Sequence, residues 1–153
     1  MSSQFLPRAR SYNRYGVLTL QRHLLEQHFP LFRTGIINNV LIATGWLRPT
    51  DCRDQYKVKI EYKAGKEPKS TVLSPIITPS AKIHMYSDHS LCLSYRPDMR
   101  WTNRTPVYQY TVPWISEWIV YYEIYQMNGG FWEGPESPFH MKESDKNENF
   151  DKE

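Results

Sequence analysis

His84, Asp88, His89 and Cys92 fall together in the stretch KIHMYSDHSLCLSYRPDMRW, which runs from Lys82 to Trp101. A thiol so close in sequence to two imidazoles and a carboxylate supports three kinds of chemistry. As a nucleophile, Cys92 would need thiolate character near neutral pH, a neighbour that handles a proton, and donors for a developing oxyanion. As a metal ligand it would join His84 and His89, with Asp88 or Cys52 completing a tetrahedral zinc site. The His-x4-His-x2-Cys spacing lacks the paired Cys-x2-Cys knuckle of such sites, so no metal is expected. As a small apolar residue it would only fill a core. Its place beyond Ser87, Asp88 and His89, in a stretch with no regular period, weighs against that last reading, because functional residues collect on loops.

The elements that must hold this stretch follow from periodicity. SYNRYGVLTLQRHLLEQHF carries Val17, Leu20, Leu24 and His28 at spacings of three and four, widened by Leu25, which predicts an amphipathic helix ending before Pro30. His23 and His28 read as surface and flanking residues of that helix. GIINNVLIATGWLRPT, rich in branched residues and closing on Pro49-Thr50-Asp51, predicts one strand. In YKVKIEYK, Tyr56, Val58, Ile60 and Tyr62 alternate with Lys57, Lys59, Glu61 and Lys63, the pattern of a strand with one buried and one solvated face. After the turn AGKEPKS, TVLSPIITP predicts a third strand that Pro75 confines to an edge or a bulge.

Beyond the cysteine the helical period returns. From Pro113 as first residue, Trp114, Ile115, Trp118, Ile119, Tyr122 and Tyr125 share a broad face, Glu117 lies near the first turn, and Gly129-Gly130 stops the helix. The aromatic stripe reads as core. The expected fold is α+β: an N-terminal helix, an antiparallel β-meander, an irregular cysteine segment and a C-terminal helix.

The 153 residues suit one domain, expected over 1–132, with 133–153 a flexible, acid-rich tail. An apolar fraction of 40% with 14% aromatics offsets the entropy of ordering and argues against global disorder. A net charge of +3, thinly spread, offers no nucleic-acid footprint. No run approaches the roughly 20 apolar residues of a membrane helix. MSSQFLPRARSYNRYG has no apolar core followed by small residues, so no secretory signal is expected. Cys52 and Cys92 are then expected reduced, in the cytoplasm.

The order of elements and the segment SDHSLCL, Ser87 to Leu93, resemble the ubiquitin-conjugating enzymes, whose active-site stretch carries His-Pro-Asn and then Ile/Leu-Cys-Leu, with Trp and Pro downstream. Here Ile83-His84, Leu91-Cys92-Leu93, Trp101 and Pro106 stand in those roles. The resemblance covers about Arg14 to Asn128. Leu91-Cys92-Leu93 and the helix Pro113-Trp114-Ile115-Ser116-Glu117-Trp118 are similar in particular to small conjugating-enzyme-like proteins of bacterial antiphage operons, the short type II CBASS systems. The chain departs from the wider family in two ways. His84 lies two residues closer to the cysteine, and Met85 replaces the Pro-Asn whose asparagine helps stabilise the oxyanion.

The resemblance implies a transferase. Cys92 would form a thioester with the carboxyl terminus of a partner protein, and a lysine amine on a target would resolve it. The implied partner is the cGAS-like nucleotidyltransferase encoded in such operons, with no cofactor, nucleic acid or membrane involved. His84 and His89 are the candidate proton-handling residues; His89 stands where the family has glycine. Tyr86, Asp88 and Trp101 would support them, and His84, His89, Tyr86 or a backbone amide must replace the missing asparagine. Lys142, Lys146 and Lys152 are the tail lysines that self-modification there would use. No Walker-type Gly-rich loop is present, so activation of the carboxylate is expected to come from elsewhere. The competing readings are a non-catalytic binding module of the same fold, gripping the nucleotidyltransferase, and a zinc-stabilised interaction domain.

Overall fold

The computed structural model describes residues 6–93 and 99–135, with side chains from residue 14 onward. Helix α1 (Leu6–His28) leads into strands β1 (Arg33–Ile37), β2 (Val40–Leu47), β3 (Tyr56–Tyr62) and β4 (Lys69–Ser74). A short 3₁₀ turn (Ala81–Ile83) opens the cysteine segment, and helix α2 (Val107–Met127) follows it. The strands form one antiparallel sheet in the order β1-β2-β3-β4. The fold is α+β, as the periodicity predicted.

β3 alternates as expected. Tyr56, Val58, Ile60 and Tyr62 are buried on the inner face, while Lys57, Lys59 and Glu61 face outward, half-buried. Val58 and Ile60 each contribute about 1.5–3 kcal/mol by leaving water. α1 and α2 complete the core with Leu18, Leu25, Val112, Ile115, Trp118 and Ile119.

Three expectations are corrected. The single strand expected over 35–50 is a hairpin, β1–β2, turning at Asn38-Asn39 with φ of 51° and 60°. Asparagine tolerates this left-handed region better than most residues, and two such residues in succession make the tight turn whose twist suits a hairpin. The meander therefore has four strands. The expected turn at Pro49-Thr50-Asp51 is present, with the Cys52 amide donating to the Pro49 carbonyl at 3.0 Å.

The buried stripe of α1 is Leu18, Gln21 and Leu25, whereas Leu20 is 54% exposed. Gln21 takes a core position because its amide closes the start of α2: it donates to Thr105 O at 3.1 Å and accepts from the Val107 amide at 3.0 Å. That tertiary cap also explains the third difference. α2 begins at Val107, after Pro106, so Pro113 lies inside the helix and Glu117 is well past the first turn. Pro113 removes one intrahelical hydrogen bond, and burial of Val112, Ile115, Trp118 and Ile119 around it holds the helix across the gap. The far end matches expectation: Gly129 and Gly130 have φ of 84° and 93°, and Gly130 donates its amide to Tyr125 O at 2.9 Å.

Glu123 of α2 ties the helix to the segment before β3. Its carboxylate accepts from the Arg53 amide at 2.6 Å, the Tyr56 hydroxyl at 2.9 Å and the Asp54 amide at 3.3 Å. Burial alone would push this carboxyl up, but those donors together hold it below the usual range. Burial, then Glu123 itself, pushes the Tyr56 phenol far up.

Candidate active site

The stretch expected to be irregular has a definite backbone. Ser80 caps the 3₁₀ turn by accepting the Lys82 amide at 3.1 Å, and His84 ends it in the left-handed region, with φ 54° and ψ 45°. The chain then folds into a small hairpin. Met85 pairs with Leu91, the Tyr86 amide donates to Ser90 O at 2.8 Å, and the His89 amide donates to Tyr86 O at 2.9 Å. The hairpin covers the edge of β4: Thr71 bridges Ser90, and the Leu91 amide donates to Ser70 O at 2.8 Å. An edge that would otherwise offer unpaired backbone groups is thereby occupied.

Cys92 follows directly. Its amide donates to the His84 carbonyl at 2.9 Å, so the two residues are fixed to one another through the backbone and that amide is already engaged. The Cys92 side chain is only 2% exposed. Tyr86, 40% exposed, donates its phenol to Cys92 Sγ at 3.3 Å. A groove of about 200 Å³ opens here, lined by Tyr86 and Ser90 to Leu93 of the hairpin segment together with Glu67, Pro68 and Lys69. That is below the roughly 300–1,000 Å³ of drug-sized sites.

Asp88 is anchored at the hairpin tip. Its Oδ1 accepts from the Ser90 amide at 3.0 Å and the Ser90 hydroxyl at 2.5 Å, and its Oδ2 meets Lys69 Nζ at 2.8 Å. Lys69 first, then both Ser90 donors, hold this carboxyl far below the usual range. His89 beside it has φ of 68°, a conformation that suits glycine. Its ring is half-buried and makes no hydrogen bond or ion pair among the described residues.

The remaining candidates sit in the aromatic layer. His84, 1% exposed, lies 5.2 Å from the Trp132 ring at a tilt of 52°, and Trp118 next to it donates its indole N–H to Ile83 O at 2.7 Å. Trp101 meets Tyr110 and Trp114 of α2 edge-on at 6.4 Å. The fold thus brings Tyr86 to the sulfur, ties Asp88 to the groove residue Lys69, and packs His84 against Trp132 and Trp101 against Trp114.

Lys69 and Trp132 were not singled out by sequence reasoning. The register Glu61↔Lys69 puts the lysine on the strand that borders the cysteine hairpin, a long-range pairing with no local signal. Trp132 was expected only as the last residue of the domain. It packs on His84, Trp118 and Tyr121, and Gly134 closes on Tyr121 so tightly that a Cβ would lie 2.8 Å from the ring. The tail lysines Lys142, Lys146 and Lys152 lie outside the described residues.

Cys52 and Cys92 are buried thiols, not joined to each other. Burial, then Glu123 and Asp51, pushes the Cys52 thiol up, away from nucleophilic use. Among the described residues no three His, Cys, Asp or Glu side chains converge as a metal site would need, and no helix is long and apolar enough to cross a membrane.

A family model described as Type II CBASS E2 protein matches residues 21–141. No curated protein matches the chain.

Proposed function

The chain belongs to the type II CBASS E2 family, which gives it an E2-like role with a protein partner in that system, and on that footing we propose that Cys92 is its nucleophile. Cys92 Sγ, as thiolate, attacks an activated carbonyl at the partner's carboxyl terminus. The activating group leaves with its electron pair, and a thioester forms. A neutral lysine amine of a target then attacks the thioester carbon. The C–S bond breaks, and the sulfur leaves as thiolate while the nitrogen gives up its proton.

The observation that carries this reading is the Tyr86 phenol 3.3 Å from Cys92 Sγ at the groove. A hydrogen bond to sulfur favours the anion both when it attacks and when it departs. The hairpin holding Cys92 against the His84 carbonyl fixes the nucleophile's position. With the Cys92 amide engaged there, the single Tyr86 proton turns to the oxyanion once the sulfur is acylated, in place of the family's asparagine, and returns to the sulfur as the intermediate collapses. His89, half-buried at the hairpin tip, is the candidate acceptor for the amine proton. The order of α1, meander, cysteine hairpin and α2 supports a ubiquitin-conjugating arrangement. The partner is the system's cGAS-like nucleotidyltransferase, presenting its carboxyl terminus.

The 2% exposure of Cys92 favours the second reading, a binding module that grips the nucleotidyltransferase without chemistry. Intact mass spectrometry separates the two. The protein is mixed without reductant with that nucleotidyltransferase, with and without an activating enzyme, beside a Cys92→Ala control. An adduct of one partner less one water, cleaved by added thiol and absent from the control, is expected. A stable complex with no Cys92-dependent adduct would give the binding module.

A further inference from the structure

Lys69 and Cys92 line the same groove, one from the start of β4 and the other from the end of the hairpin docked on that strand. An amine that lines the same groove as a thioester needs no second encounter to reach it, which raises its effective concentration over an external acceptor. What prevents immediate reaction is also present. The Lys69 ammonium is paired at 2.8 Å with Asp88, whose carboxylate is fixed by the Ser90 amide and hydroxyl. An ammonium has no lone pair with which to attack, and this one is drawn toward the hairpin tip. Hydrogen bonding to Asp88, then its charge, holds Lys69 protonated above the ordinary lysine range.

We propose that Lys69 is a self-acceptor of the acyl group carried on Cys92, held in reserve by its ion pair with Asp88. The proposal rests on the thioester reading of Cys92. When Asp88 is drawn away or neutralised, Lys69 Nζ loses a proton to water and attacks the Cys92 thioester carbon. The C–S bond breaks, the sulfur leaves as thiolate and is reprotonated, and an amide on Lys69 remains. No oxidant, metal or further reactant is needed. In its resting form the pair protects the thioester for an external acceptor; released, it diverts the acyl group onto the enzyme.

The test uses the full chain and a short acetylated peptide ending in glycine, supplied as its mercaptoethanesulfonate thioester, so that no activating enzyme is required. Peptide mapping follows the fraction of Cys92-acylated protein that converts to a Lys69 amide, in wild type, Asp88→Asn and Asp88→Asn/Lys69→Arg. Asparagine retains the oxygen that accepts from Ser90, and thermal unfolding checks that the variants are folded. Conversion at Lys69 about two- to fivefold faster in Asp88→Asn, the span that an exposed ion pair can hold, and lost in the double variant, is expected. If Cys92 is acylated but Asp88→Asn forms no more Lys69 amide than wild type, or other lysines react equally with Lys69 replaced, the self-acceptor is overturned. Absence of any Cys92 thioester would instead remove the nucleophile reading, and this inference with it.

Discussion

Tyr86 separates a positioned thiol from an ordinary buried cysteine. Replacing it by phenylalanine removes the donor and leaves the ring. A lost hydrogen bond worth about 0.5–1.5 kcal/mol slows Cys92 acylation by a peptide thioester about two- to tenfold; unchanged or faster acylation would mean that the phenol merely covers the sulfur. His89 gives a sharper contrast. Its left-handed φ of 68° costs a side-chain-bearing residue about 1 kcal/mol, so His89→Gly raises the unfolding free energy by about 0.5–1 kcal/mol in denaturant melts. The same variant slows aminolysis of the thioester if the imidazole takes the amine's proton. Stabilisation with unchanged aminolysis would leave His89 only a turn residue. These residues were legible as types in SDHSLCL. Their pairings were not: Tyr86 to sulfur and Asp88 to Lys69 depend on a hairpin closed by backbone bonds and on an edge strand distant in sequence.

At the scale of elements, α2 is positioned from outside itself. Gln21 of α1 supplies both a donor and an acceptor at its start, and Glu123 gathers two amides and a phenol from the segment entering β3. Gln21→Leu leaves Val107 N–H and Thr105 O without these partners and costs about 1–3 kcal/mol in denaturant melts, with the loss of amide protection concentrated at the first turn of α2. Glu123→Gln costs about 2 kcal/mol at neutral pH, since hydrogen bonds to a charged acceptor are the stronger kind. The sign with pH follows from its lowered carboxyl. The stabilisation is fully present above the ordinary carboxylate range and is lost as pH falls through the folded value. Wild-type stability therefore declines more steeply on acidification than that of Glu123→Gln; parallel curves would contradict the latch. β3 and the double-glycine stop were readable because period-two burial and a left-handed cap are local rules. The start of α2 and the stripe of α1 were misread because a buried glutamine serves another helix, which local periodicity scores as surface.

For the whole molecule, the sheet, its two helices and the tryptophan layer form a support for one short hairpin. β4 docks it through Ser70 and Thr71, Trp118 holds the turn before it through Ile83 O, and Trp132 closes on His84. The α+β class and the family were both within reach of the sequence, because the order of elements and Leu91-Cys92-Leu93 survive even where Pro-Asn does not. The groove was not, since its walls come from residues far apart along the chain. The most direct test of Cys92 as nucleophile is the site of linkage in the adduct with the cGAS-like nucleotidyltransferase, trapped at low pH without thiol and sequenced by fragmentation. Cys92 Sγ joined to the partner's terminal carbonyl, one water lighter than the two peptides together, is the expected linkage. A linkage at another residue, or two unlinked proteins that only associate, would contradict it.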